Sequence, residues 1–390
     1  MRLRFDLPPD YAAIAAAARL VASRHPRLAG RVEGIDAARP AEAKWVPSSA
    51  DMMCEAAELP DRPRPVDLKR GPGLRATWRD RELLFEFHHA CIDGLGVVHF
   101  LSELFAELRS SANPEPAGVQ VKDNRGTACA PTLRTGSVLH RLSFALRRVA
   151  TFYRHRPRPL AVIAPSRRGG PAWHSGTLST DVTNALRAVA RRLEVTVNDL
   201  LIRDLFLALA AWNAAANQPG GNIRLAVPMS TRDGTSQDIA NSVSMVFLDR
   251  RTRRHDSDNL LRSIAAEMSL VRRERLEAAL LRALNLLGRV PGAIRRVYGS
   301  PRCHSTSVIS NVGVLFDGRA VRIGDSALCD VTFLAPVRPL TRVAFVAVTY
   351  AGQLSIGVTI DPTELSGKDG QSLLASFIDR LRETSAVTMP

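Results

Sequence analysis

Two adjacent histidines, followed after three residues by Asp-Gly, are the part of this chain best equipped for chemistry: His88-His89-Ala90-Cys91-Ile92-Asp93-Gly94. An imidazole is largely neutral near pH 7, so one of the pair can take a proton from a hydroxyl or amine as that group attacks. The Asp93 carboxylate can hold the turn through an ionic or hydrogen-bonded contact, and Gly94 lets the backbone fold tightly with no Cβ in the way. Asp93 also fits a helix N-cap, and the two roles are compatible. His89, Asp93 and His99 lack the paired i, i+4 spacing of helical zinc sites, so no metal is expected. Cys91, between the histidines and the aspartate, could be an activated thiol; the simpler reading is a small apolar side chain in a core.

The elements on either side must position these groups. Glu82 to Phe87 alternates apolar and charged residues and reads as a strand, while Val97, Leu101, Leu104, Phe105 and Leu108 recur at helical spacing. The motif therefore lies where a strand hands over to a helix, a place suited to presenting side chains accurately. Upstream, Met1 to Leu7 reads as a short strand, and Pro8-Pro9-Asp10 starts a helix carrying Tyr11, Ile14, Ala18 and Val21 on one side. Residues 39–73 give little pattern, and LRATWRD and RELLFEF form a hairpin ending at the histidines. Beyond Trp173 a helix carries Val182, Ala185, Leu186, Val189 and Leu193, and a largely apolar one spans Thr196 to Trp212, with Asn198 as N-cap and Asp199 in its first turn. Strands are expected at Asn222–Gly234, Asn241–Arg250, Ser305–Gly313, Ala327–Leu334, Val343–Tyr350 and Leu354–Ile360. Helices are expected at Asp258–Val271, Glu274–Leu287 and Gly370–Arg382.

With 390 residues, 45% of them hydrophobic, the chain can bury a large core in two domains. It has no run of about 18 apolar residues, and MRLRFDLPPD lacks the marks of a signal peptide. The five cysteines are scattered and without CxxC spacing, so neither a disulfide framework nor a zinc site is expected, and the reading is cytoplasmic.

HHACIDG resembles the HHxxxDG signature of the thioester-dependent acyltransferase superfamily, which includes chloramphenicol acetyltransferase, plant BAHD acyltransferases, peptide-synthetase condensation domains, polyketide-associated acyltransferases and wax ester synthase/diacylglycerol acyltransferases. Other stretches agree in order. Arg24 to Arg31 is similar to the HP-x-L-x-x-R stretch of condensation-type enzymes, and Val197 to Leu201 resembles the ND motif of the wax ester synthase branch. Val227 to Arg232 resembles a VPVSLR strand. Asn241 to Met245 resembles GN-x-(V)S, with Ala240 where glycine is usual, and Ile309 to Gly313 resembles SNVPG, one residue short. The plant DFGWG motif is absent.

The resemblance implies an α/β fold of mixed α+β sheets: two chloramphenicol-acetyltransferase-like subdomains, 1–172 and 173–390, with a crossover at 110–172 and a tunnel at their interface. It implies direct acyl transfer from an acyl-CoA or acyl-carrier-protein thioester to a hydroxyl or amine in a ternary complex, with no bound cofactor. His89 would be the general base, His88 a structural residue turned into its subdomain, and Arg232 the partner of Asp93. Asn241, Ser242, Ser244, Ser310 and Asn311 would face substrate.

The net charge of +15 is concentrated. Residues 124–180 hold ten arginines and no acidic side chain. Val138, Leu142, Ala145, Leu146, Val149, Phe152 and Tyr153 follow helical spacing there, surrounded by Arg141, Arg147, Arg148, Arg154, Arg156 and Arg158. A basic amphipathic helix over 138–158 suits an acidic carrier protein, an anionic membrane surface or the phosphates of coenzyme A; it also suits plain solvation. No nucleic-acid motif accompanies it. Two alternatives follow: a condensation-type enzyme taking its donor from a carrier protein, and a catalytically silent binder that docks through this helix.

Overall fold

The computed structural model describes residues 1–34, 43–62, 64–112, 152, 154–163, 170–218, 220–232, 236–251, 257–275, 302–338 and 340–386. Most of the basic helix expected over 138–158, and the helix expected at Glu274–Leu287 beyond residue 275, lie outside these.

The first half opens with strand β1 (Arg2–Phe5) and helix α1 (Tyr11–Ser23). Asp10 caps α1 by accepting from the Ala13 amide at 2.9 Å. A single-turn helix α2 (Pro26–Ala29) leads to β2 (Gly30–Glu33), which pairs with β3 (Lys44–Pro47). Strands β4 (Met53–Glu55), β5 (Leu74–Arg79) and β6 (Glu82–Phe87) precede helix α3 (Gly94–Ala112). Leu83 and Phe85 of β6 are buried with Leu3 and Phe5 of β1, Ile14 and Val21 of α1, and Leu101 and Leu104 of α3. The period of two in the strand and of 3.6 in the helices thus put their apolar faces into one core.

The second half contains β7 (Trp173–Leu178), α4 (Thr180–Arg192), α5 (Val197–Ala215), β8 (Asn222–Ser230), β9 (Val243–Arg251), α6 (Ser257–Glu274), β10 (Ser307–Val314), β11 (Arg322–Ile323), β12 (Ser326–Thr332), β13 (Val343–Tyr350), β14 (Gln353–Ile360) and α7 (Gly367–Ala386). The N-cap of α5 is Thr196, in a reciprocal capping box with Asp199, rather than Asn198 as expected. Thr196-x-x-Asp199 was the signal in the sequence for this, and the hydroxyl at the earlier position claims the orphan amide.

Among the described residues there are two mixed six-stranded sheets, in the orders β11-β12-β1-β6-β5-β4 and β7-β14-β13-β10-β8-β9, besides the β2-β3 pair. The chain does not stay in one sheet after residue 173. β12 returns to the first sheet and pairs antiparallel with β1, burying Leu328 and Val331 in the first core and covering the edge β1 would otherwise leave open. The next strand, β13, belongs to the second sheet.

The two sheets meet closely at this return. A Cβ on Gly357 of β14 would run into the Phe333 carbonyl oxygen. Beside it the buried Asp330 of β12 accepts from Ser355 at 3.1 Å, Thr177 at 3.3 Å and Thr332 at 3.0 Å, joining the first sheet to β7 and β14. Among the described residues no helix is long and apolar enough to cross a membrane.

Candidate active site

His88 and His89 follow the last residue of β6, and α3 begins at Gly94. The loop between them is built around Asp93, which is 5% exposed. Its Oδ1 accepts from the Gly96 amide at 2.8 Å, so it caps α3. The same carboxylate accepts from Arg232 Nη1, at 3.0 Å for Oδ1 and 2.8 Å for Oδ2, and Oδ2 also accepts from the Ser242 amide at 2.7 Å. Cap and ion pair coexist on one side chain.

Arg232 does more than neutralise this charge. Its Nη2 donates to the carbonyls of Ala240 at 2.6 Å and Asp238 at 3.0 Å, while the Asp93 amide donates to Ala240 O at 3.2 Å. The 238–242 segment of the second half is thereby fastened to the motif of the first half. Gly96 makes the approach feasible: a Cβ there would lie 2.8 Å from Ala240 O and 2.6 Å from Ile92 Cγ1. Gly94, expected to be the position with no room, has only Val312 Cγ2 at 3.5 Å from its Cβ position and no positive φ. The steric demand falls on Gly96 because its Cβ position in the first turn of α3, unlike that of Gly94, points at residue 240 and Ile92.

The two histidines are placed differently. His89 is exposed, and Asn241 Nδ2 donates to its carbonyl at 2.7 Å and stands 3.4 Å from its Nδ1. His88 is half-buried, and its Nδ1 accepts from the Ala90 amide at 3.2 Å, which leaves the proton of the neutral ring on Nε2. Burial, then the neighbouring His89 charge, holds the His88 pKa below the usual imidazole value, against a smaller opposing pull from Asp67. Cys91 is buried, and desolvation pushes its thiol up to about 11, with Arg27 a minor opposing influence. A Cβ on Gly73 would meet its sulfur at 2.6 Å, so this thiol fills a tight core site.

The remaining sequence-derived residues lie just before β9, on β9 and on β10. Ser242 is half-buried, its amide on Asp93 and its carbonyl accepting from the Thr231 amide and hydroxyl. Ser244 is 5% exposed, and its hydroxyl has no hydrogen-bond partner among the described residues. On β10, Ser310 is half-buried, and the exposed Asn311 accepts from the Gly313 amide at 3.1 Å. The His99 side chain is buried on α3. Among the described residues no group of three or more His, Cys, Asp or Glu side chains could hold a metal ion. Gly96 and Asp238 are site residues that sequence reasoning did not single out, and Ala240 was marked only as a departure from the GN-x-(V)S pattern; the second glycine of Gly94-Leu95-Gly96 was the local sign for Gly96.

At the other end of β6, about 20 Å from His88 at the usual strand rise, lies a cavity of about 490 Å³. It is lined by Arg2, Glu82 and Leu84 of the first sheet and Trp173 and His174 of the second.

Comparison with known proteins agrees with this architecture. Residues 239–385 match the WS/DGAT C-terminal domain. The uncharacterized protein Rv2305 of Mycobacterium tuberculosis is 29% identical over 249 residues, 59% of this chain and 55% of that protein, so the match spans little more than half of the relative's length. The first condensation domain of the calcium-dependent antibiotic synthetase, in complex with a substrate analogue, has a TM-score of 0.65 at 17% identity, covering 99% of this chain and 91% of that one. Polyketide synthase associated protein 5 from Mycobacterium tuberculosis has a TM-score of 0.60 at 16% identity, covering 99% and 93%. At such identities the likeness is one of fold. The fold is that of the condensation domains, and the match of residues 239–385 to the WS/DGAT C-terminal domain is consistent with the chloramphenicol-acetyltransferase-like superfamily whose signature HHACIDG resembles.

Proposed function

We propose that this protein transfers an acyl group from a thioester, acyl-CoA in the first instance, to a hydroxyl or amine acceptor, with His89 as general base. The observation that carries this reading is the contrast within the pair: an exposed His89 on a loop locked from below by Asp93, beside a half-buried His88 whose Nδ1 is already occupied. His89 accepts the acceptor's proton as the acceptor oxygen or nitrogen bonds to the thioester carbonyl carbon. The tetrahedral adduct then expels the thiolate, which takes the proton from the imidazolium, and the ester or amide is released. Asp93 and Arg232 position the loop and do not touch the reacting atoms.

A carrier-protein thioester is the second reading of the donor. Arg154, Arg156 and Arg158 are exposed at the end of the basic segment, and an acidic carrier would meet them favourably. The segment is anchored there by the buried Arg224, whose Nη2 donates to the carbonyls of Phe152 and His155.

The experiment is thiol release from short to long acyl-CoAs, and from acylated carrier protein, against pooled alcohols and amines. His89→Ala should lower turnover by roughly 10²–10⁴-fold with an unchanged melting temperature. Retention of more than about a tenth of the activity would remove His89 from the role of base.

A further inference from the structure

His89 belongs to the first half of the molecule, but its main chain is held by the second. Asn241 Nδ2 donates to the His89 carbonyl at 2.7 Å, and the residues on either side of Asn241 are fastened to Asp93: Ala240 O accepts from the Asp93 amide and from Arg232 Nη2, and the Ser242 amide donates to Asp93 Oδ2. Asn241 is therefore the middle residue of a run with little slack, and the neighbouring bonds fix its reach to His89. A carboxamide nitrogen can only donate, so the bond to the carbonyl has one polarity. The same nitrogen stands 3.4 Å from Nδ1, beside the ring itself.

We propose that Asn241 is a positioning residue for His89: its amide holds the His89 main chain, and with it the imidazole, in the orientation proton transfer needs, and it does not bind substrate. This rests on His89 as the base. An exposed imidazole at the end of a strand has several rotamers open to it, and a displacement of about 1 Å from a productive geometry can cost about 10²-fold in rate. The consequence is that the base is assembled across the two halves. It is correctly aimed only while the 238–242 segment is docked on HHACIDG.

The test uses the full chain with Asn241→Ala, Asn241→Asp and His89→Ala. Histidine ring resonances are followed by ¹H–¹⁵N correlation without substrate, the His89 signals being those lost in His89→Ala. Kinetics use the acyl-CoA and acceptor pair that gives turnover in the wild type. Both Asn241 variants should shift the His89 ring signals and leave the melting temperature unchanged. Turnover should fall by roughly tenfold to 10²-fold, with KM for the thioester unchanged within about twofold. Asn241→Asp should be the worse of the two, because a carboxylate oxygen set against the His89 carbonyl repels it. A rise in KM at constant kcat would make Asn241 a substrate ligand and overturn the proposal. So would wild-type turnover in Asn241→Asp, or unmoved His89 signals. Should His89→Ala itself remain active, the reading of the base fails, and the ring signals still decide whether Asn241 positions that side chain.

Discussion

Arg232 and Asp93, 139 residues apart in sequence, meet through one guanidinium nitrogen lying 2.8 Å and 3.0 Å from the two carboxylate oxygens. Their side chains are 3% and 5% exposed, so neither charge is screened by water. Arg232→Met would leave Asp93 buried without its counter-charge, and a loss of about 3–5 kcal/mol is expected. Arg232→Lys keeps the charge but loses the planar fork that reaches Asp238 and Ala240 while holding Asp93, so it should recover only part. Urea denaturation of these variants, and of Asp93→Ala with Arg232→Met, checks this; the double variant should be less destabilised than the two single losses added together.

Gly96→Ala should destabilise the protein although alanine is the better helix former by about 1 kcal/mol. The new methyl would meet Ala240 O and Ile92 Cγ1 and push the 238–242 segment off the motif. Gly94→Ala, inside the motif, meets only an ordinary contact with Val312 and should fold with a wild-type melting temperature. Equal stability of the two variants would mean that residue 96 is not the close approach.

Acid should weaken the fold below about pH 6.5 through two histidines. Burial lowers the pKa of His88, helped by the His89 charge, and burial lowers that of His174 against a smaller opposing bond to Gly367. Between the lowered folded values and the usual 6.5, the unfolded chain binds more protons than the folded one, so stability rises with pH across that window and gains nothing from these groups above it. Melting temperatures at pH 5.5 and 7.5 give the slope, and His174→Gln should flatten it.

Cys91 should resist alkylation in the native protein. Its thiol is buried with a pKa of about 11, whereas Cys54 and Cys329 are exposed. Peptide mapping after iodoacetamide should find Cys54 and Cys329 modified and Cys91 protected until urea is added. Rapid native modification of Cys91 would reopen its reading as a nucleophile.

What the sequence by itself determined is local. Alternation in Glu82–Phe87 and helical spacing from Val97 to Leu108 placed the histidines at a strand-to-helix junction, because side-chain period follows from backbone geometry over a few residues. The strand expected at Val343–Tyr350 has the same bounds in the fold, and Asp93 was legible as a cap. The partnership of Arg232 with Asp93 came from resemblance, since no local pattern names a partner 139 residues away. Only the tertiary structure decided which half holds His89, which glycine must lack a side chain, and which sheet receives β12. Each depends on surfaces brought together from distant parts of the chain, where Asn241 meets a carbonyl, Gly96 meets Ala240, and Leu328 and Val331 find the first core. Periodicity says which face of an element is apolar; packing alone says what that face meets.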